Sequence, residues 1–366
     1  YRYQWDYTNI DYYARPKWGV PWTYCAQNLQ EQFAARLAFL DMDADLAREV
    51  GYEMLWDDAG WSSHESLPPD NYGSVFVHQY EGPDFRLTRR YLDKMGMGWL
   101  AWFCGRPAPG IIAGKVGAWG DFEWRTDGVA LPDWAADRDL RGKIARFLDR
   151  FPRSSFHTCS GGSAYSHTFE IQRYANTNYF SDAGRGPQTN YYFSYLEPPD
   201  KWVDVIEPWA SRGAYRPETA RQLMTMVPMW GLKAPPHTRE CLRKDLDLFR
   251  FLRREGVAGR WSYMFHPIVK GDEPIYYAQR TGYDRTKACV IFKHRATGPI
   301  VIFPQGLLPE HRYAVEFAVS PDRAVRTGAD LMANGIAIAS QAPGELIFLG
   351  LPNRPGSGRD TAAPAP

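Results

Sequence analysis

The sequence predicts an α/β fold: a closed (β/α)8 TIM barrel over residues 1–258, a small antiparallel β-sandwich over 259–352, and a disordered Gly-, Ser-, Ala- and Pro-rich tail over 353–366. Three observations carry this expectation. Short apolar runs alternate with amphipathic stretches through the first part of the chain. The helical pattern stops after Gly259 and gives way to short β-rich runs separated by Gly, Pro or Asp turns. Several of the apolar runs end abruptly in a carboxylate, the way a parallel barrel presents acids at the C-terminal ends of its strands.

Taken in order, Ala44–Val50 reads as the end of a helix, Glu53–Trp56 as a strand and Arg86–Met95 as a helix. Trp99–Phe103 and Phe122–Trp124 read as strands. Arg138–Phe151 is a helix on the spacing of Ile144, Phe147, Leu148 and Phe151. Ser155–Thr158 and Tyr179–Ser181 are strands, and Cys241–Glu255 is a helix with Leu242, Leu246, Phe249 and Leu252 along one face. Repetition over this length favours a closed barrel over an open sheet. Beyond it, Ile275–Thr281, Ala288–His294, Ile300–Phe303, Tyr313–Ala318 and Glu345–Leu349 are the expected strands of a sandwich of roughly ninety residues. Two long connections, Trp61–Pro83 and Gly105–Asp121, each follow a strand and are expected over the same face of the barrel.

Composition narrows the function classes. The chain has 366 residues with 43 basic against 42 acidic side chains, so it lacks the electrostatic footprint of a nucleic-acid binder. No run is long and apolar enough to suggest a membrane span. Aromatics reach 15%, with 14 Trp and 22 Tyr, which suits sugar stacking and a large core equally. Five scattered cysteines, with no Cys-x-x-Cys pair, argue against a disulfide scaffold and a structural zinc site. Reduced thiols lean toward the cytoplasm, but the compartment stays open. The chain starts at Tyr1 without an initiator Met or a leader, so it is expected to be a fragment.

Polar residues at the expected strand ends are Asp57 and Asp58, then Arg106, Arg125 and Asp127, His157 and Cys159, and Asp182. An acid-rich ring with arginines suits glycoside hydrolysis, in which one carboxylate attacks the anomeric carbon and another protonates the leaving oxygen. A retaining enzyme needs the two roughly 5–6 Å apart. Each residue also has a structural reading. Asp127-Gly128 is a common turn, Asp182 a potential helix cap, and Asp58 a potential ion-pair partner at a barrel mouth. Cys159 is either a small buried hydrophobe or part of a Cys-Ser-Gly-Gly turn, with Gly161, that lets backbone approach a ligand. Trp61 is the best-placed sugar platform among the tryptophans. The histidines follow no metal-ligand spacing, so no metal and no organic cofactor is expected.

These segments resemble glycoside hydrolase family 36, the α-galactosidase and raffinose-enzyme family of clan D. Met54-Leu55-Trp56-Asp57-Asp58-Ala59-Gly60-Trp61 is similar to the family's Asp-Asp/Ala-Gly-Trp strand. Phe122-Glu123-Trp124-Arg125-Thr126-Asp127-Gly128 is similar to its Lys-x-Asp strand, which implies that Asp127 is the nucleophile. His157-Thr158-Cys159-Ser160-Gly161-Gly162 resembles its Glu-x-Cys-x-Gly-Gly segment. Phe180-Ser181-Asp182 resembles its Trp-x-Ser-Asp strand, which implies that Asp182 is the acid/base. Thr327-Gly328-Ala329-Asp330-Leu331-Met332-Ala333-Asn334-Gly335 resembles its closing Gly-Ala-x-Leu-Met-x-x-Gly segment.

The resemblance has departures. Ala59 stands where a second carboxylate is usual, Arg125 where Lys is usual and His157 where Glu is usual. Trp102-Phe103-Cys104-Gly105 lacks the Glu-Pro that commonly follows the third strand, and the family's large N-terminal β-domain has no counterpart. The resemblance implies a retaining exo-α-glycosidase acting on an oligosaccharide or glycoside, with Asp57, Asp58, Trp61, Arg125, Cys159 and Gly161 around the sugar, and relatives that often assemble as homo-oligomers. A transglycosylase of the raffinose-synthase type shares the same acid pair. A barrel that binds sugar without cutting it is the alternative of another class. The glycone is left open.

Overall fold

The computed structural model describes residues 7–9, 49, 51–57, 90, 92–104, 122–127, 133–159, 174, 177–179, 202–207, 227–231, 236–258, 262–265, 275–294, 300–338, 345–352, 354 and 355. The chain divides into two compact units. The first comprises Tyr1–Gly184, Val203–Ser211 and Met229–Lys233. The second comprises Arg185–Trp202, Arg212–Pro228 and Ala234–Pro366.

Eight strands follow one another around a closed sheet: β1 (Tyr7–Asn9), β2 (Met54–Asp57), β3 (Gly98–Cys104), β4 (Glu123–Asp127), β5 (Ser155–Cys159), β6 (Thr177–Tyr179), β7 (Trp202–Glu207) and β8 (Val227–Gly231). Parallel registers join β8 to β1 and run on through β6. β4 extends three residues past the Phe122–Trp124 run that hydrophobicity marks out. Arg125, Thr126 and Asp127 are held by backbone pairing to Trp102, Phe103 and Cys104, and polar residues are tolerated there. β6 lies two residues earlier than the expected Tyr179–Ser181, its register fixed by Thr177 opposite His157.

Between β4 and β5 runs α1 (Trp134–Arg150). Asp133 caps it, its carboxylate accepting from the Ala136 amide at 2.8 Å. Asp137–Arg141 and Asp139–Lys143 pairs at i,i+4, both at 2.6 Å, brace it, each with one buried member. Leu140, Ile144 and Phe147 form the buried stripe. Phe147 meets the rings of Phe122 and Trp124 at 5.3 and 5.2 Å, and Trp124 meets Phe156 edge-on at 5.5 Å. This aromatic layer fixes the orientation of β4 and β5. Trp124 and Phe156 face α1, so Glu123 and His157, one residue away on each strand, face the opposite side of the sheet.

The second unit contains α2 (Pro236–Arg254), which buries Leu246, Phe249 and Leu252. It ends where Gly256 adopts φ +74° and Val257 N–H reaches back to the Leu252 carbonyl. The antiparallel strands are β9 (Tyr263–Phe265), β10 (Ile275–Thr281), β11 (Ala288–His294), β12 (Ile300–Ile302), β13 (Arg312–Phe317), β14 (Arg323–Thr327), β15 (Ile336–Ile338) and β16 (Leu346–Leu349). Six form a sheet in the order β14-β13-β16-β11-β10-β9, and β12 pairs with β15. An apolar core including Val290, Ile302, Tyr313, Leu331, Ile336 and Ile347 joins the two sheets.

One expectation is corrected here. Helix does not stop after Gly259, because α3 (Gly328–Asn334) interrupts the strands. Its Thr327 hydroxyl accepts from the Asp330 amide, Asp330 sits in the first turn, and Gly335 at φ +67° closes it. Gly328 is required there, since a Cβ would lie 2.1 Å from the Leu308 carbonyl oxygen.

Candidate active site

The last residues of five parallel strands collect the chemistry. Asp57, Cys104, Asp127, Cys159 and Tyr179 end β2, β3, β4, β5 and β6. Asp127 is the register partner of Cys104, and Cys159 of Tyr179. One layer deeper, Arg125 is in register with Trp102 on one side and His157 on the other, and His157 with Thr177. Deeper still, Glu123 pairs with Leu100 and Ser155. Glu123, Arg125 and Asp127 therefore occupy one row of β4, at successive depths, with Asp127 at the C-terminal rim.

Asp57 falls differently. Its register partner is Ala101, whose own partner is Trp124, the residue that packs on α1. It belongs to the alternate row from Arg125 and Asp127. Asp58, Trp61, Gly161 and Asp182 lie outside the described residues, as do Arg106 and the two long connections.

Sequence reasoning placed His157 at a strand end but missed Glu123, the buried carboxylate beneath this rim. Glu123 and His157 are buried, with side chains 3% and 0% exposed, and Glu123 Oε1 lies 3.8 Å from His157 Nδ1. Ser155 is buried in the same row as Glu123. An ionisable pair inside a sheet is costly unless it is compensated, which makes this pair a candidate part of a site. The signal was present locally. Glu123 is flanked by Phe122 and Trp124, and His157 follows Phe156, the alternation of a strand with a polar inner face. Among the described residues no group of three His, Cys, Asp or Glu side chains is placed to hold a metal ion, and no helix is long and apolar enough to cross a membrane.

No family model and no curated protein matches the chain. Solved structures do match. The GH36 α-galactosidase AgaB from Geobacillus stearothermophilus superposes with a TM-score of 0.69 at 15% identity, over 95% of this chain and 55% of that one. A variant of AgaA from the same organism, in complex with raffinose, gives 0.67 at 14% identity over the same shares. The α-galactosidase from Lactobacillus brevis gives 0.62 at 15% identity, over 85% of this chain and 52% of that one. The chain shares its fold with these α-galactosidases. It spans about half the length of each. Other AgaA variants are in complex with stachyose and with 1-deoxygalactonojirimycin.

Proposed function

We propose that this chain is a retaining exo-α-glycosidase of the α-galactosidase type, built on a (β/α)8 barrel over residues 1–258 with the antiparallel domain over 259–352 and a tail over 353–366. The observation that carries the reading is the position of Asp127: the last residue of β4, at the rim where β2 to β6 end, above a buried polar row. The shared fold with α-galactosidases supports it, and so does the oligosaccharide bound to one of them. In this mechanism Asp127 attacks the anomeric carbon and the glycosidic C–O bond breaks, giving a covalent β-glycosyl intermediate. Asp182 donates its proton to the leaving oxygen. Asp182 then takes a proton from water as that water displaces Asp127, and the α-anomer is released.

Arg125 and Asp58 hold hydroxyls that do not react, so their binding energy orients the anomeric carbon. Asp58 is assigned this role ahead of Asp57, because Asp57 falls in the row of Trp124. Trp61 offers an apolar face to the sugar, and the turn of Cys159 and Gly161 lines the pocket. No metal or organic cofactor takes part. The test is a screen of aryl α-galactoside, α-N-acetylgalactosaminide and α-glucoside with their β-anomers. Turnover of an α-glycoside, with the α-anomer as first product, is expected. Turnover of β-glycosides alone, an inverted first product, or sugar binding without any turnover would contradict the reading.

A further inference from the structure

Glu123 has no part in the two displacement steps, yet it is a buried carboxylate on the strand that carries Asp127. It lies two residues before Arg125 in the same row, about 6.6 Å along a strand. His157, directly across from Arg125 in register, approaches the Glu123 carboxylate to 3.8 Å. A buried carboxylate thus lies one layer beneath Arg125, and a buried imidazole lies beside Arg125 in register. Arginine keeps its charge at any working pH, so a carboxylate two residues away on the same strand face is a natural counterpart for it.

We infer that Glu123 is a positioning residue: its buried carboxylate, beside His157, holds Arg125 in place for the sugar. This rests on the proposed function, which makes Arg125 a sugar ligand. The geometry has a second consequence. Glu123 and His157 meet across two strands, so a carboxylate carried on β5 instead of β4 serves the same purpose.

The experiment is a double-mutant cycle read by calorimetric binding of 1-deoxygalactonojirimycin, with circular dichroism as the folding control. Glu123→Gln is expected to weaken binding about tenfold in the native background and less than about twofold in the Arg125→Ala background, since coupled residues are not additive. Adding His157→Glu to Glu123→Gln is expected to restore binding to within about threefold of the native chain. Equal losses in both backgrounds, or a folded relocated-carboxylate variant that stays weak, would overturn the inference. If Glu123→Gln does not fold, the relocated variant decides alone. Its failure to fold as well would assign Glu123 a structural role and overturn the inference too. A native chain that neither binds the imino sugar nor turns over any aryl glycoside would overturn the proposed function itself, and this inference with it. Native binding with Glu123→Gln unchanged would overturn the inference only.

Discussion

The β4–α1–β5 segment of the first unit and the antiparallel domain of the second bury polar groups to different ends. In the antiparallel domain, two buried polar side chains serve backbone, although Arg354 and Glu316 also form a buried ion pair at 3.7 Å. Glu345 accepts from the amides of Val319, Ser320 and Leu346 at 2.8, 2.9 and 3.1 Å. The Gln279 side-chain amide accepts from Gln305 N–H at 2.8 Å and donates to its carbonyl at 2.6 Å, as a strand would. In β4 and β5 the buried Glu123 instead faces another ionisable side chain, His157, in a row that leads to Asp127 at the rim. Burial of an ionisable pair does not by itself separate the two regions, since Arg354 and Glu316 pair inside the antiparallel domain. What separates them is that Glu123 and His157 share a sheet face with Asp127 at the rim.

The contrast can be tested from the largest effect down. Phe147→Ala strips the aromatic layer that orients β4 and β5, and a fully buried Phe of this kind costs about 3–5 kcal/mol. Denaturant unfolding followed by tryptophan fluorescence should register it. A loss under about 1 kcal/mol would mean that α1 does not set those strands.

Glu345→Ala leaves three amides without their acceptor and should cost roughly 3 kcal/mol of domain stability, read by thermal unfolding. An unchanged midpoint would show that water replaces the carboxylate without loss.

Asp330 is expected to have the smallest effect. Bonds from Arg326 and Asn334 hold its carboxyl down to about 2, below its usual 3.8. A lowered carboxyl stabilises above its unfolded value and loses that contribution as pH falls toward the folded one. Asp330→Asn should therefore lower the melting temperature modestly at pH 7, and the gap should close as pH falls from 4 toward 2. A gap constant with pH would assign the effect to packing.

Legibility in the sequence followed the same division. Ile275–Thr281 and Ala288–His294 were readable to the residue, because each is an apolar-rich run bounded by turn signals. β14 was not. Arg323-Ala324-Val325-Arg326-Thr327 is a half-exposed edge strand whose pairing with β13 fixes it, not its own apolar content. α3 is too short for periodicity to reveal, although Thr327 and Gly335 are its caps and Asp330 is its first-turn acid. At the site, Asp127 was legible as a carboxylate at a strand end. The Glu123–His157 pair was not, since 34 positions separate its members and only the parallel register brings them together.

The central claim is that Asp127 is a nucleophile, and azide rescue tests it most directly. Asp127→Ala should lose more than about 10³ in turnover of the best aryl α-glycoside while still binding 1-deoxygalactonojirimycin. Added azide should restore release of the aryl group and yield the β-glycosyl azide, the product of attack from the face that Asp127 vacates. Near-native turnover in the variant, or rescue that yields the α-azide, would contradict the account.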